Sequence, residues 1–286
     1  YVGAHPTFID ADRASWQLDP ALLAEVLDAR AAAGRLPAAV VAVDLYGQCA
    51  DMKAIRKIAD RYNLLIVEDN AQAIGAHGDG FRIGELSDAV ATSFIIQKNL
   101  GTFGDGGAVS TNRDDVNRAV RKLRNHGSEK RSYHSFGFNS RLDDIHAGVL
   151  SAKLKYIDAW NDLRRKWAAR YSAGLAQARH ITLPYEKPGY RHVYHLYVIE
   201  TKRPEQRDAL LKHLNDNGVD AKCHYPIAIH QQEGYPWGKP ARIVGPLTNS
   251  ERNAACCISL PMYPELTEEE VDYVIEKVLE WDRAQG

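Results

Sequence analysis

The stretch AAVVAVDLYGQCADMKAIRKIADRYNLLIVEDN, residues 38–70, decides the fold. Residues 38–45 form an apolar run broken only by Asp44, which predicts a strand covered on both faces, as in a parallel sheet. Across residues 50–62, Met52, Ile55 and Ile58 recur at helical spacing. A second apolar run, 64–67, closes on Glu68 and Asp69. Strand, helix and strand in this rhythm predict a right-handed crossover between parallel strands. Ligands of such a sheet bind beyond the carboxyl ends of its strands. Asp69 is therefore a candidate site residue, although aspartate at a strand end also serves as a cap or turn residue.

Downstream, residues 93–107 read SFIIQKNLGTFGDGG. The apolar residues of 91–97 predict a further buried strand, which delivers Lys98 to a turn containing Gly101, Gly104, Gly106 and Gly107. A lysine at the end of a buried strand is costly unless it is paired or chemically used. Partial desolvation leaves a nucleophilic amine suited to Schiff-base chemistry. The plain alternative is an exposed lysine in a turn. A lysine and an aspartate on neighbouring strand ends are what a pyridoxal phosphate site requires, one as the Schiff-base amine and one as the pyridinium partner. Ser93 and the glycine turn are candidate phosphate donors.

The remaining pattern alternates in the same way. Residues 5–10 predict a short strand, and Asp19-Pro20 opens a helix that ends at Gly34. Residues 108–111 read as a strand and 114–124 as a helix. From 141 to about 176 the pattern is helical and nearly continuous, with apolar Leu142, Ile145, Val149, Leu150, Leu154, Ile157 and Trp160. Lys155, Asp158, Asp162, Arg164, Arg165 and Lys166 read as its solvated face. Beyond Pro184 and Pro188 the rhythm changes: a strand at 193–199, a helix at 204–216, a strand at 218–224, a Pro/Gly-rich loop at 236–246 and a closing helix at 268–283. The expected division is a large domain over 1–178 and a smaller one over 179–286. Tyr190, Tyr194, Tyr197, Tyr235 and Trp237 read either as packing or as sugar-stacking aromatics.

With 286 residues, 45% hydrophobic and 26% charged, the chain has the composition of a globular protein with one large core and a smaller domain. A formal net charge of -1 gives no electrostatic case for nucleic acid or an anionic membrane. No apolar run reaches transmembrane length. Cys49, Cys223, Cys256 and Cys257 lack CxxC spacing, so structural zinc and a disulfide framework are not expected and a reducing cytoplasm is the default.

Taken together, the motifs make the chain resemble the DegT/DnrJ/EryC1/StrS family of pyridoxal phosphate-dependent sugar aminotransferases. The matching blocks are DLYGQCADM (44–52), VEDNAQAIGA (67–76), SFIIQKNLGTFGDGGAVST (93–111), RNHG (124–127), GFNSRLDDIHAGVLSAKL (137–154), WNDLRRKWAARY (160–171), YHLYVI (194–199), HYPIAIH (224–230) and SLPMYPEL (259–266). The resemblance implies a fold-type-I α/β architecture, a mostly parallel central sheet flanked by helices with a smaller α+β C-terminal domain. It implies Lys98 as the Schiff-base lysine and proton shuttle and Asp69 as partner of the pyridine nitrogen. Gln72 would contact the cofactor's 3-oxygen and Ser93 its phosphate. Asn139 would reach the phosphate of the second subunit of a homodimer. His224, Tyr225 and His230 match a region of the sugar-nucleotide pocket, where His230 reads equally well as a solvated loop histidine. The implied reaction moves an amino group from glutamate to a nucleotide-linked 3-keto or 4-keto hexose, and QKNLGTFGDGG with DNAQAIGA is more similar to 3-keto members.

Two departures stand beside the resemblance. Family members carry roughly 85–100 further N-terminal residues, the size of a substantial part of a domain, with a Gly-Thr-type phosphate turn and an aromatic over the ring. Tyr1 therefore reads as lying inside a longer pattern. Ile96-Gln97 also stands where many members have Pro-Thr or Pro-Ser before the lysine. A dehydratase of the same family, whose members replace the lysine by histidine, a cofactor-binding sensor without turnover and an inactive scaffold are the alternative readings.

Overall fold

The computed structural model describes residues 2–130, 133–234 and 242–286. Contacts divide the chain into two compact units. One holds Leu36–Asn161 with Gly189–Val193; the other holds Tyr1–Arg35, Asp162–Pro188 and Tyr194–Gly286. These units are drawn differently from contiguous halves meeting at 178/179, because polar bonds tie the first residues to the last third. Asp10 accepts hydrogen bonds from Asn249 N, Ser250 N and Ser250 Oγ at 2.7–2.9 Å. Arg13 pairs with the buried Glu200 at 2.8 Å. Only Thr7–Phe8 of the strand expected at 5–10 forms, paired in parallel with Arg242–Ile243.

Helix α1 (Pro20–Ala32) starts as its sequence predicts, with Asp19 accepting from Ala21 N and Leu22 N and Pro20 in the first turn. The first unit then carries β1 (Ala39–Val43), α2 (Met52–Arg61), β2 (Leu65–Asp69), β3 (Ala89–Ser93), β4 (Gly107–Ser110), α3 (Asp114–Leu123) and α4 (Asp144–Leu154). Its sheet has the order β1-β2-β3-β4. The first three strands are parallel, with Val43 opposite Asp69 and Asp69 opposite Ala91, and β4 runs antiparallel to β3. The β1–α2–β2 crossover is thus the predicted one. Asp51 caps α2 by accepting from Ala54 N, and Met52, Ile55 and Ala59 are buried.

Three expectations are corrected here. Among the described residues β1 is covered on one face only: Val40 and Ala42 are buried, whereas Val41 is 60% and Val43 39% exposed. Strict alternation of burial marks one-sided cover, which a run of β-branched residues does not distinguish from two-sided cover. The 91–97 strand stops at Ser93, because Phe94 N and Thr102 N bond to Gly106 O and Phe94 O and turn the chain. The long helix is two helices, α4 and α5 (Ile157–Gly174), parted where Tyr156 N bonds to Lys153 O in a tight turn. Its apolar positions also divide: Leu150 and Ile157 are buried with Leu100, while Ile145 and Leu154 are exposed.

In the second unit an antiparallel sheet pairs β5 (Tyr197–Thr201) with β6 (Cys257–Leu260), and Ile181–Thr182 adds a short edge. Around it lie α6 (Pro204–Asp216), α7 (Thr248–Cys256) and α8 (Glu268–Arg283), the last closed by a Thr267–Glu270 capping box. Tyr171, Tyr197, Leu210, Ile258 and Val271 centre its core. Tyr194 and Tyr197 are therefore packing residues, and Tyr190 of the first unit stacks edge-on against Phe81. Tyr235 and Trp237, and residues 236–241 of the expected loop, lie outside the described residues. The 218–224 strand reduces to one bridge, Lys222 to Ser259. Arg164 is not part of a solvated face. It is buried and donates to Tyr194 O, His195 O and Met262 O, and burial lowers its guanidinium to about 10.

Candidate active site

The site begins at the carboxyl end of β2. Asp69 closes that strand, its carbonyl accepting from Asp44 N at 3.0 Å. Its Oδ1 accepts from Ala71 N at 2.9 Å and turns the chain back, while Oδ2 is engaged by no group among the described residues. Gln72 follows in the same turn, buried, with Oε1 accepting from Tyr46 N at 2.6 Å. The two strand ends are thereby held together by a backbone bond and a side-chain bond.

Lys98 lies in a turn five residues beyond the end of β3 rather than at the strand end itself. Lys98 N bonds to Ile95 O at 2.9 Å. A Cβ on Gly101 would stand 2.4 Å from Ile96 O, so this turn accepts only glycine there. The side chain is half-buried. Burial lowers its pKa below the usual ammonium range, and the negative charge of Asp69 opposes that shift. The structure thus brings Lys98 and Asp69 together closely enough for one charge to act on the other.

Residues that sequence pattern does not single out support this pair. Asn99 Nδ2 donates to Asn161 Oδ1 at 2.8 Å and to Val193 O at 3.3 Å. Asn161, on α5, donates through Nδ2 to Ile74 O at 3.0 Å. One buried amide pair therefore joins the Lys98 turn to the turn that follows Asp69. Lys153 on α4 also donates to Gly101 O. Asn99 sits beside Lys98 in sequence, which was the available signal; nothing local marks Asn161.

Beneath the β1 and β2 ends lie Asp44 and Glu68, 0% and 1% exposed. Asp44 Oδ1 accepts from Ala50 N at 2.9 Å. Glu68 Oε2 accepts from Gly84 N and Ser87 Oγ, both at 2.8 Å. Burial, then the mutual charge, pushes Asp44 well up, and burial also raises Glu68.

The other candidates are placed as follows. Ser93 ends β3, two residues past the partner of Asp69, and its Oγ accepts from Ile95 N at 3.4 Å. Asn139 is exposed on a segment bridged to Asn125. His224, Tyr225 and His230 belong to the second unit. His224 Nδ1 bonds with Ser259 Oγ at 2.9 Å, and the exposed Tyr225 ring meets His224 edge-on. His230 is not a free loop histidine: its Nε2 is 2.9 Å from Glu251 Oε1.

Residues 1–279 match the profile of the DegT/DnrJ/EryC1/StrS aminotransferase family. The chain belongs to that family. It is 41% identical to the pleiotropic regulatory protein of Geobacillus stearothermophilus over 98% of this chain and 73% of that one. It is also 41% identical to the dTDP-3-amino-3,4,6-trideoxy-alpha-D-glucose transaminase of Streptomyces venezuelae, over 98% of this chain and 71% of the relative. The crystal structure of S. venezuelae DesV in complex with a ketimine intermediate superposes with a TM-score of 0.87 at 40% identity, covering 96% of this chain and 71% of that chain.

DegT/DnrJ/EryC1/StrS aminotransferases depend on pyridoxal phosphate, and the residues here fit that cofactor. A protonated ring nitrogen needs an anionic acceptor, and Asp69 Oδ2 is open. An aldehyde needs an amine that yields its proton readily, and burial inclines Lys98 that way. Among the described residues no helix of this family member is long and apolar enough to cross a membrane.

Proposed function

We propose that this chain transfers the amino group of glutamate to C3 of a nucleotide-linked keto-hexose, with pyridoxal phosphate held by Lys98, Asp69, Gln72 and Ser93. The observation that carries the reading is the half-buried Lys98 amine, on which the charge of the strand-end Asp69 acts, in a chain of this family. The bound cofactor supplies an electron sink for the carbon that loses or gains a proton. Lys98 Nζ would hold it, and the lysine amine would take up and return the proton at the substrate carbon. Because burial favours the neutral amine, Lys98 reaches its basic form at lower pH than a free lysine. Asp69 would accept the ring N–H and so keep that nitrogen charged. Gln72, steadied by Tyr46 N, is assigned the ring's 3-oxygen, and Ser93 Oγ, an acceptor from Ile95 N, keeps its own proton for the phosphate.

The assignment to C3 is supported by the 3-amino product named for the Streptomyces relative. His224, Tyr225 and His230 are assigned to the sugar-nucleotide pocket. We assign a cytoplasmic homodimer in which Asn139 serves the partner's phosphate. Exposed Tyr133 (74%), Phe136 (76%) and Phe138 around Asn139 support a covered surface there.

Borohydride reduction with pyridoxal phosphate, followed by peptide mapping, tests the anchor, and transfer of 15N from labelled glutamate to a 3-keto sugar nucleotide tests the reaction. An adduct on Lys98 with label in the sugar is expected. The name of the Geobacillus relative favours a second reading, a cofactor-binding regulator. An adduct on Lys98 with no transfer to any keto sugar supports that reading instead, and no adduct at Lys98 overturns both.

A further inference from the structure

Asp44 and Glu68 are two buried acids, neither paired with a basic side chain among the described residues. Val43 and Asp69 stand opposite each other in the sheet, so Asp44 and Glu68 extend from adjoining strand ends on the face away from Asp69. Three donors take one oxygen of each acid: Ala50 N holds Asp44 Oδ1, and Gly84 N with Ser87 Oγ holds Glu68 Oε2. The remaining oxygens, Asp44 Oδ2 and Glu68 Oε1, are buried and reached by no donor, and the charge of Glu68 adds to burial in raising Asp44. A single proton on one of the two acids supplies the donor that these buried oxygens lack. Two bare carboxylates at this burial would repel each other and carry a large desolvation cost.

We infer that Asp44 and Glu68 share a single proton and act as a positioning pair that holds Asp69 and Gln72 at the ends of β2 and β1. The inference rests on the proposed function for what Asp69 and Gln72 do. The mechanical route is short. Asp44 Oδ1 closes the 44–50 loop through Ala50 N, and that loop presents Tyr46 N to Gln72 Oε1 at 2.6 Å. Asp44 N meanwhile binds Asp69 O. The shared proton fastens this loop to Glu68, the residue before Asp69. The titratable groups facing the pair are Asp69, on the next residue of β2, and the buried Cys49 thiol, which burial and both acids hold in its neutral form.

The test has two readouts, both on cofactor-free protein. The first is urea unfolding across about pH 5–7, where both acids are ionised in the unfolded chain. Wild type releases one proton on unfolding, whereas D44N and E68Q, in which an amide N–H replaces that proton, release none there. The unfolding constant of wild type relative to either variant rises tenfold per pH unit, and the same slope persists in a D69N background. A flat ratio overturns the shared proton. The second is hydrogen exchange at the Tyr46 and Ala50 amides. Both exchange at least tenfold faster in D44A and at the wild-type rate in D44N; D44S carries the comparison if D44A does not fold. Equal exchange in wild type and in the alanine or serine variant overturns the positioning role. Failure of the proposed function shows separately, as absence of a Lys98 adduct with both readouts unchanged.

Discussion

Replacing Asn161 by alanine should loosen the Lys98 turn and the Asp69 turn together. Asn161 is 0% exposed and makes two bonds, 2.8 Å from Asn99 Nδ2 and 3.0 Å to Ile74 O. Alanine removes both. Asn99 Nδ2 keeps the longer 3.3 Å contact to Val193 O, while Ile74 O loses a donor at a site where Asn161 filled the space beside Gly75. A net hydrogen bond contributes about 1 kcal/mol and a buried group left unpaired costs about 1–3 kcal/mol, so the expected loss is about 2–4 kcal/mol. Against a typical stability of about 5–15 kcal/mol, that moves a urea midpoint measurably while leaving the slope unchanged. Capture of pyridoxal phosphate by Lys98, read by borohydride trapping at graded cofactor concentrations, should weaken in the same variant. N161D separates the two bonds, since it can still accept from Asn99 but offers Ile74 O no donor, and it should behave no better than alanine. A midpoint within about 0.5 kcal/mol of wild type, the usual scatter for an uninvolved surface position, would refute the claim that this amide pair joins the two turns. Unweakened capture in a destabilised variant would leave it a packing residue only.

Three further outcomes follow from the same geometry. K98A should abolish turnover and borohydride adduct formation without lowering the melting temperature of the cofactor-free chain, because a half-buried ammonium is disfavoured there by its burial; a marked drop would make Lys98 a structural cation. D69N keeps an oxygen for Ala71 N but loses the anionic partner, so transamination should fall by about two orders of magnitude or more while cofactor still binds, and an unchanged rate would remove the pyridinium role. Burial works to raise Asp10, but hydrogen bonds from Asn249 N and from Ser250 N and Oγ outweigh it and hold the carboxyl below the usual carboxylate range. Its stabilising contribution is therefore present above about pH 4 and is lost as pH falls through the lowered folded value; acid unfolding of D10N should lack this component, and superimposable acid titrations of the two proteins would discount it.

Much of the fold was legible where one physical rule acts alone. Residues 204–216 and 268–283 form helices at the predicted limits because apolar spacing and N-terminal signals agree there. The β1–α2–β2 crossover was legible for the same reason. What failed is equally specific. The 248–256 helix carries Thr, Asn, Ser, Glu and Arg with few apolar residues, and its burial is decided by α6 and β5 neighbours distant in sequence. Cys257–Leu260 is four residues long and buried throughout, too short to show a period. Burial keeps the Cys257 thiol neutral, pushed up to about 12.

At the site, the difference between legible and hidden residues is chemical. Lys98 and Asp69 stand out because a charged group beside an apolar run is anomalous in sequence and must be explained. Their supports do not stand out: Asn99, Asn161, Asp44 and Glu68 read as ordinary polar residues until the fold buries them. Asn161 lies 62 residues from Asn99 and 87 from Ile74, separations over which no local pattern operates. Asp44, Glu68 and Asp69 all lie at strand ends in sequence, and side-chain parity separates Glu68 from Asp69. Alternation along β2 sends Glu68 into the interior and leaves Asp69 on the opposite face, where one of its oxygens stays open. A one-residue shift in the register of β2 would exchange those roles, placing the open carboxylate on the wrong side of the sheet. The acid pair that pins β1 to β2 therefore stands in the same causal chain as the action of the Asp69 charge on Lys98, because the register that buries Glu68 is the register that presents Asp69.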